Sequence, residues 1–136
     1  MKNNSKNIIT ILLIIVVATS GVIFFIWNKP QRNVEHEKGI IVTAVQLVKE
    51  YQASEPEANK KYLDKAIQVS GTISEVKTNQ DGNATITLAS DDTFSGVFCT
   101  LKAKETNVAA GATVTIKGIC SGMLSDVRLR EAVVVE

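Results

Sequence analysis

Residues 66–76 read AIQVSGTISEV, and their periodicity decides the fold. Ile67, Val69, Gly71 and Ile73 alternate with Gln68, Ser70, Thr72 and Ser74, the period-two pattern of a strand with one apolar face. The next apolar residue, Val76, comes three positions on rather than two. That offset predicts a β-bulge, and Gly71 permits a sharp bend in the same strand.

The alternation continues downstream. Residues 79–83 (NQDGN) read as a hairpin loop, with Asp81-Gly82 supplying positive φ. Ala84, Ile86 and Leu88 form the inward set of a second strand, with Thr85 and Thr87 outward. Residues 90–93 turn the chain, and Val97, Cys99 and Leu101 mark a third strand. Residues 102–110 have room for one helical turn. Gly111 precedes a fourth strand with Val114, Ile116, Gly118 and Cys120 on one face. Residues 121–126 read as a loop, and Val127, Leu129, Val133 and Val135 mark a fifth strand. The expected fold over 66–136 is mainly β, a five-stranded OB-fold barrel; an open sheet packed on helices is the alternative. Closure also removes exposed strand edges.

Upstream, residues 39–65 read as a helical lead-in of one or two short helices. Val42, Val45, Leu47, Val48 and Tyr51 make one helical stripe. Ser54 is a good N-cap, with Pro56 in the first turn and Glu57 as capping-box partner. Ala58, Tyr62 and Leu63 are expected to face inward. Residues 28–38 (NKPQRNVEHEK) read as a juxtamembrane linker, in which His36 is a solvated residue.

Ile8 to Trp27 is a run of 20 uncharged residues behind a short tail, 1–7. As a helix it spans about 30 Å, the thickness of a bilayer's hydrocarbon core. Thr10, Thr19 and Ser20 can return their hydroxyls to the helix backbone, and Trp27 sits where an interfacial aromatic belongs. The expectation is an N-terminal transmembrane signal anchor. A cleaved signal peptide ending near Ala18-Thr19-Ser20 is the rival, but the apolar run continues past that point through Phe24, Phe25 and Trp27. No cysteine stands at the end of the run for a lipoprotein linkage. With the short tail inside, the domain is expected on the extracytoplasmic (periplasmic) side.

From Gly39 onward the chain has ten cations against twelve acids, so the strongly basic footprint of a nucleic-acid binder is missing. One histidine and two cysteines exclude a Cys/His-built structural zinc site. No catalytic residue, metal or cofactor is expected, because the sole histidine lies in the linker, away from any nucleophile. Asp91-Asp92 reads as turn chemistry.

From about Val42 onward the chain resembles the tRNA_anti-like family of bacterial OB-fold proteins. The resemblance rests on Tyr51, on residues 57–59 and 62–65, on 67–73 (IQVSGTI), on 97–99 (VFC), on 111–122 (GATVTIKGICSG) and on 127–129 (VRL). It implies an OB-fold and an envelope or membrane-anchored architecture, and it carries over no catalytic residues. Relatives often bring a further cysteine into the last strand, where this chain reads LREA over 129–132.

Cys99 and Cys120 share inward parity, so an exported domain could join them by a disulfide. Two buried free thiols are the other reading. Lys117, Arg128 and Arg130 share outward parity and could form a small basic spot. The aromatics available to a single-strand binder are only Tyr51, Tyr62, Phe94 and Phe98, of which Phe98 is taken as a candidate. Lys77, Asn79 and Asn83 lie on a loop that an OB-fold uses to hold a ligand. Residues 83–85 (NAT) also match the glycosylation triplet.

The function expected is a non-enzymatic, membrane-anchored binding module on the outer face of the cytoplasmic membrane, with a protein, peptide or glycan partner. The alternatives are a nucleic-acid-binding OB-fold if the domain is cytoplasmic, and a structural or assembly subunit of an envelope complex with Leu47 and Tyr51 as a contact surface.

Overall fold

The computed structural model describes residues 2–28 and 33–135. They fall into two units, one ending at Arg32 and the other spanning Asn33–Glu136. The first unit holds α1 (Lys2–Trp27), which begins within the stretch expected to be a tail. Its part Asn4–Trp27 is long and apolar enough to cross a membrane. Thr10 Oγ1 donates to Lys6 O at 2.8 Å and Ser20 Oγ to Val16 O at 2.7 Å, so the hydroxyls are satisfied inside the helix as expected.

The second unit is a closed barrel with helices at one end. Its elements after a 3-10 turn (Val34–His36) are β1 (Ile40–Thr43), α2 (Ala44–Ala53), α3 (Glu55–Tyr62), β2 (Ala66–Thr78), β3 (Ala84–Leu88), β4 (Val97–Leu101), β5 (Thr113–Met123) and β6 (Val127–Val134). The sheet order is β1-β2-β3-β4-β6-β5, and β2 also pairs with β5. That last pairing closes a five-stranded ring from β2 to β6, as expected. The β2–β3 register shifts between Ile73 and Glu75, where the sequence pattern slips. The hairpin forms at 79–83, with Gly82 at φ 84° and Asn79 N donating to Asn83 O at 2.9 Å.

The helices plug one end of the ring. Leu47, Val48, Tyr51, Ala58 and Tyr62 join the inward residues of all five ring strands in one core. Full burial of a large apolar side chain such as Leu47 contributes roughly 1.5–3 kcal/mol. Leu47 and Tyr51 are therefore core, and they do not form the contact surface that an assembly subunit would need.

Several expectations need correction. Ile40–Thr43 is a strand, parallel to β2, and not the start of a helix. Thr43 Oγ1 accepts from Gln46 N at 3.1 Å, which caps α2 and ends the strand at the same residue. The polar segment before it is not linker throughout. Val34 is fully buried with Ala66 and Ile119 on the outer side of the barrel. Leu63, expected inward, is 38% exposed because the chain leaves α3 there. Ser54 sits at the N-cap of α3 but makes no side-chain capping bond. Thr85 is buried rather than outward. Residues 102–110 form no helical turn, because the backbone of this segment and its flank is bonded elsewhere. Lys102 N donates to Ala132 O, Gly111 N to Ile73 O, and Ala103 O accepts from Ala84 N. β5 runs on to Met123, which shortens the expected 121–126 loop.

Candidate ligand-binding face

Strand register sets four outward residues in one row across the barrel. Glu75 pairs with Thr87, Thr87 with Phe98, and Phe98 with Arg128. At neighbouring positions along the strands come Lys77 with Thr85, and Arg130. These strands form the side of a barrel on which OB-folds bind oligonucleotides and oligosaccharides.

The charges on this face are mostly paired. Lys77 Nζ lies 2.7 Å from Glu75 Oε1. Arg130 reaches Asp64 at 3.5 Å and Glu131 at 3.7 Å. Arg128 is different. Its guanidinium carbon sits 5.4 Å from the centroid of the Phe98 ring, and among the described residues it has no ion pair. An exposed cation over a phenyl face is worth about 0.5–1 kcal/mol. The arrangement offers one aromatic surface with one arginine, flanked by threonine and a neutralised rim.

Lys117 does not join the arginines, although its parity is theirs. It pairs with Val133, and its Nζ donates to Glu35 O at 3.2 Å under the 3-10 turn. Asn79 and Asn83 are occupied in shaping the hairpin. Asn79 Oδ1 accepts from Asn83 N at 2.9 Å, and Asn83 Nδ2 donates to Leu101 O at 2.9 Å and Lys102 O at 3.1 Å. These bonds tie the loop to the end of β4. The same bonds hold the Asn83 amide of the glycosylation triplet against the barrel.

Cys99 and Cys120 are buried free thiols, not a disulfide. Both pair with Leu129, one from each side of β6. Two strand spacings, about 9 Å, separate them, which is beyond the roughly 7 Å reach of a bridge. Cys120 Sγ is hydrogen-bonded to Tyr51 Oη at 3.2 Å instead. Burial pushes the Cys99 thiol up to about 12. Burial first, and then the bond to Cys120, push the Tyr51 phenol up as well.

A second polar cluster lies on the helices. Glu50 accepts from Lys61 Nζ at 2.9 Å and from Tyr62 Oη at 2.9 Å. Lys61 also lies 4.9 Å from the Tyr62 ring centroid. Partial burial raises the Glu50 carboxyl, but the bonds from Lys61, Gln46 and Tyr62 outweigh it and hold the group below its ordinary value. This cluster ties α2 to α3. No group of three or more His, Cys, Asp or Glu suited to a metal occurs among the described residues.

Phe94 is the residue that the sequence pattern underplayed. It stands in the β3–β4 loop and is 88% exposed. The available signal was its setting, a lone aromatic inside the polar turn SDDTFSG of residues 90–96.

The fold and its residues can be set beside known proteins. The tRNA_anti-like family model matches residues 1–133. No curated protein matches the chain. One similar solved structure is a Klebsiella pneumoniae lipoprotein for which nucleic-acid binding has been suggested. It is 18% identical with a TM-score of 0.54, covering 71% of this chain and 92% of that one. Another is a Leishmania major protein suggested to be an aspartyl-tRNA synthetase. It is 17% identical with a TM-score of 0.47, covering 79% of this chain and 23% of that one. The first likeness shows the fold, and the second is too weak to carry an argument. With a closed OB ring and a family match spanning almost its whole length, the chain belongs to the tRNA_anti-like family of OB-fold binding domains.

Proposed function

We propose that the chain is a non-enzymatic binding module held by α1 at the outer face of the cytoplasmic membrane, with a protein, peptide or glycan as partner. The observation that carries this reading is the charge balance of the strand face. Lys77 and Arg130 are met by Glu75, Asp64 and Glu131, which leaves Arg128 on Phe98. A single-strand nucleic-acid binder needs a run of cations along the backbone and several stacking rings. This face supports a ligand of low charge. Anchoring is supported by the length and apolar character of Asn4–Trp27.

Protease treatment of spheroplasts carrying a C-terminal tag tests the placement. Loss of the tag from intact spheroplasts is expected. A tag digested only after lysis overturns it.

The stacked Arg128–Phe98 pair also favours a second reading, a nucleic-acid binder facing the cytoplasm, in line with the activity suggested for the Klebsiella lipoprotein. Filter binding of a single-stranded oligonucleotide by the full chain in detergent separates the two. Tight, salt-dependent binding lost in Arg128→Ala supports the second reading.

A further inference from the structure

The β3–β4 loop and the β5–β6 loop meet beside the strand face. Gly96 N donates to Asp126 Oδ1 at 2.8 Å, and Val127 N donates to Gly96 O at 3.0 Å. A cleft of about 390 Å³ opens there. That volume lies within the range of small-ligand sites.

The loop that presents Phe94 is built rather than slack. Asp92 Oδ1 accepts from Phe94 N at 2.8 Å, and its Oδ2 accepts from Gln52 Nε2 of α2 at 2.6 Å. Ser90 Oγ donates to Ser95 O across the loop. A Cβ on Gly96 would stand 2.5 Å from Leu88 O, so the chain passes where only glycine fits. A tightly bonded loop that holds a phenyl ring in water gains nothing in folding from that ring.

The other groups lining the cleft define its chemistry. The hydroxyls of Thr87, Thr93 and Ser95 and the second oxygen of Asp126 make no hydrogen bond among the described residues. The carboxylates Asp92 and Asp126 line the cleft, and no lysine or arginine does. Phosphates and carboxylates are repelled by such a site. An extended peptide would need a row of evenly spaced backbone partners, whereas the free groups here cluster around one ring. A pyranose matches that cluster, because it offers a C–H face to an aromatic ring and a fan of hydroxyls at its edge.

The geometry points to a saccharide subsite in this cleft, with Phe94 packing on the C–H face of a neutral or amino sugar and Asp126, Thr87, Thr93 and Ser95 bonding its hydroxyls. The inference rests on the binding-module reading above and narrows its partner to a glycan.

Saturation-transfer NMR on the full chain in detergent micelles tests it, with cellotetraose and chitotetraose as probes. A lysine-rich tetrapeptide and a single-stranded oligonucleotide serve as comparison ligands. Transfer to ring C–H protons of a sugar is expected. Phe94→Ala should weaken sugar binding about tenfold, at the upper end of an aromatic contact. Asp126→Asn keeps the acceptor for Gly96 and should still weaken binding severalfold. Ile41→Ala, exposed on β1 and outside the cleft, should leave it unchanged, and circular dichroism checks that each variant folds. Sugar binding that is indifferent to Phe94 and Asp126 overturns the subsite. Binding of the tetrapeptide alone overturns the glycan but leaves the binding module standing. Binding of none of the sugars or the peptide at about 10 mM, a level that reveals even very weak complexes, overturns both.

Discussion

Ala44, the first residue of α2, rests directly on Gly71 of β2. A Cβ at position 71 would come 2.9 Å from the Ala44 Cβ and 3.4 Å from the Leu88 Cβ. Neither neighbour is the movable tip of a long side chain. Gly71→Ala should therefore destabilise the domain by about 1–3 kcal/mol, the cost of overpacking a filled core. Urea unfolding followed by circular dichroism measures it. The Ala44→Gly, Gly71→Ala double variant should recover part of the loss, giving a coupling energy that two independent sites would lack.

Because Leu129 stands between them, Cys99 and Cys120 should remain thiols even after export. Alkylation in denaturant without reductant should add two adducts per chain by mass. Alkylation of the native protein should add none, since both residues are buried. A denatured chain that takes up no adduct would show that a bond had formed.

Alkaline stability follows from one of these thiols, Cys99. Cys99 in the fold titrates near 12, above the ordinary thiol value of about 8.5 in the unfolded chain. The unfolded state therefore loses its proton first. The contribution is complete below about pH 8.5 and is lost as pH rises toward 12, at no more than about 1.4 kcal/mol per unit. Cys99→Ala should flatten the fall in unfolding free energy between about pH 9 and 10. Tyr51 shifts in the same direction, so a residual slope should persist above pH 10.

Val34 offers a test of where the domain begins. It is fully buried against Ala66 and Ile119. Val34→Ala should cost about 1–2 kcal/mol, whereas a solvated linker residue would cost nothing measurable. The shift in urea midpoint decides between them.

Alternation in the sequence carries parity but not register. Ile67 to Ile73, Ala84 to Leu88 and Val97 to Leu101 announced strands, and the displaced Val76 announced the bulge. Parity also grouped Lys117 with Arg128 and Arg130. The offset between β5 and β6, however, carries Lys117 to Val133 and under the 3-10 turn. The two cysteines shared a face for the same reason, yet β6 runs between them. The strand β1 was hidden because four residues are too few to show a period. Its Val42 also fits the stripe of the helix that follows. The row from Glu75 to Arg128 exists only through pairing between distant strands, so no local pattern contains it.

The placement of Val34 and β1 has a mechanical consequence. Any tension in the polypeptide ahead of Asn33 meets the Val34 pocket and then β1 before it reaches a strand of the closed ring. β1 lies alongside β2 in parallel over four residue pairs. A pull along its axis loads those bonds together in shear, not one after another as in a zipper. A strand outside the ring thus takes such a pull first, ahead of the strands β3, β4 and β6 that carry the face.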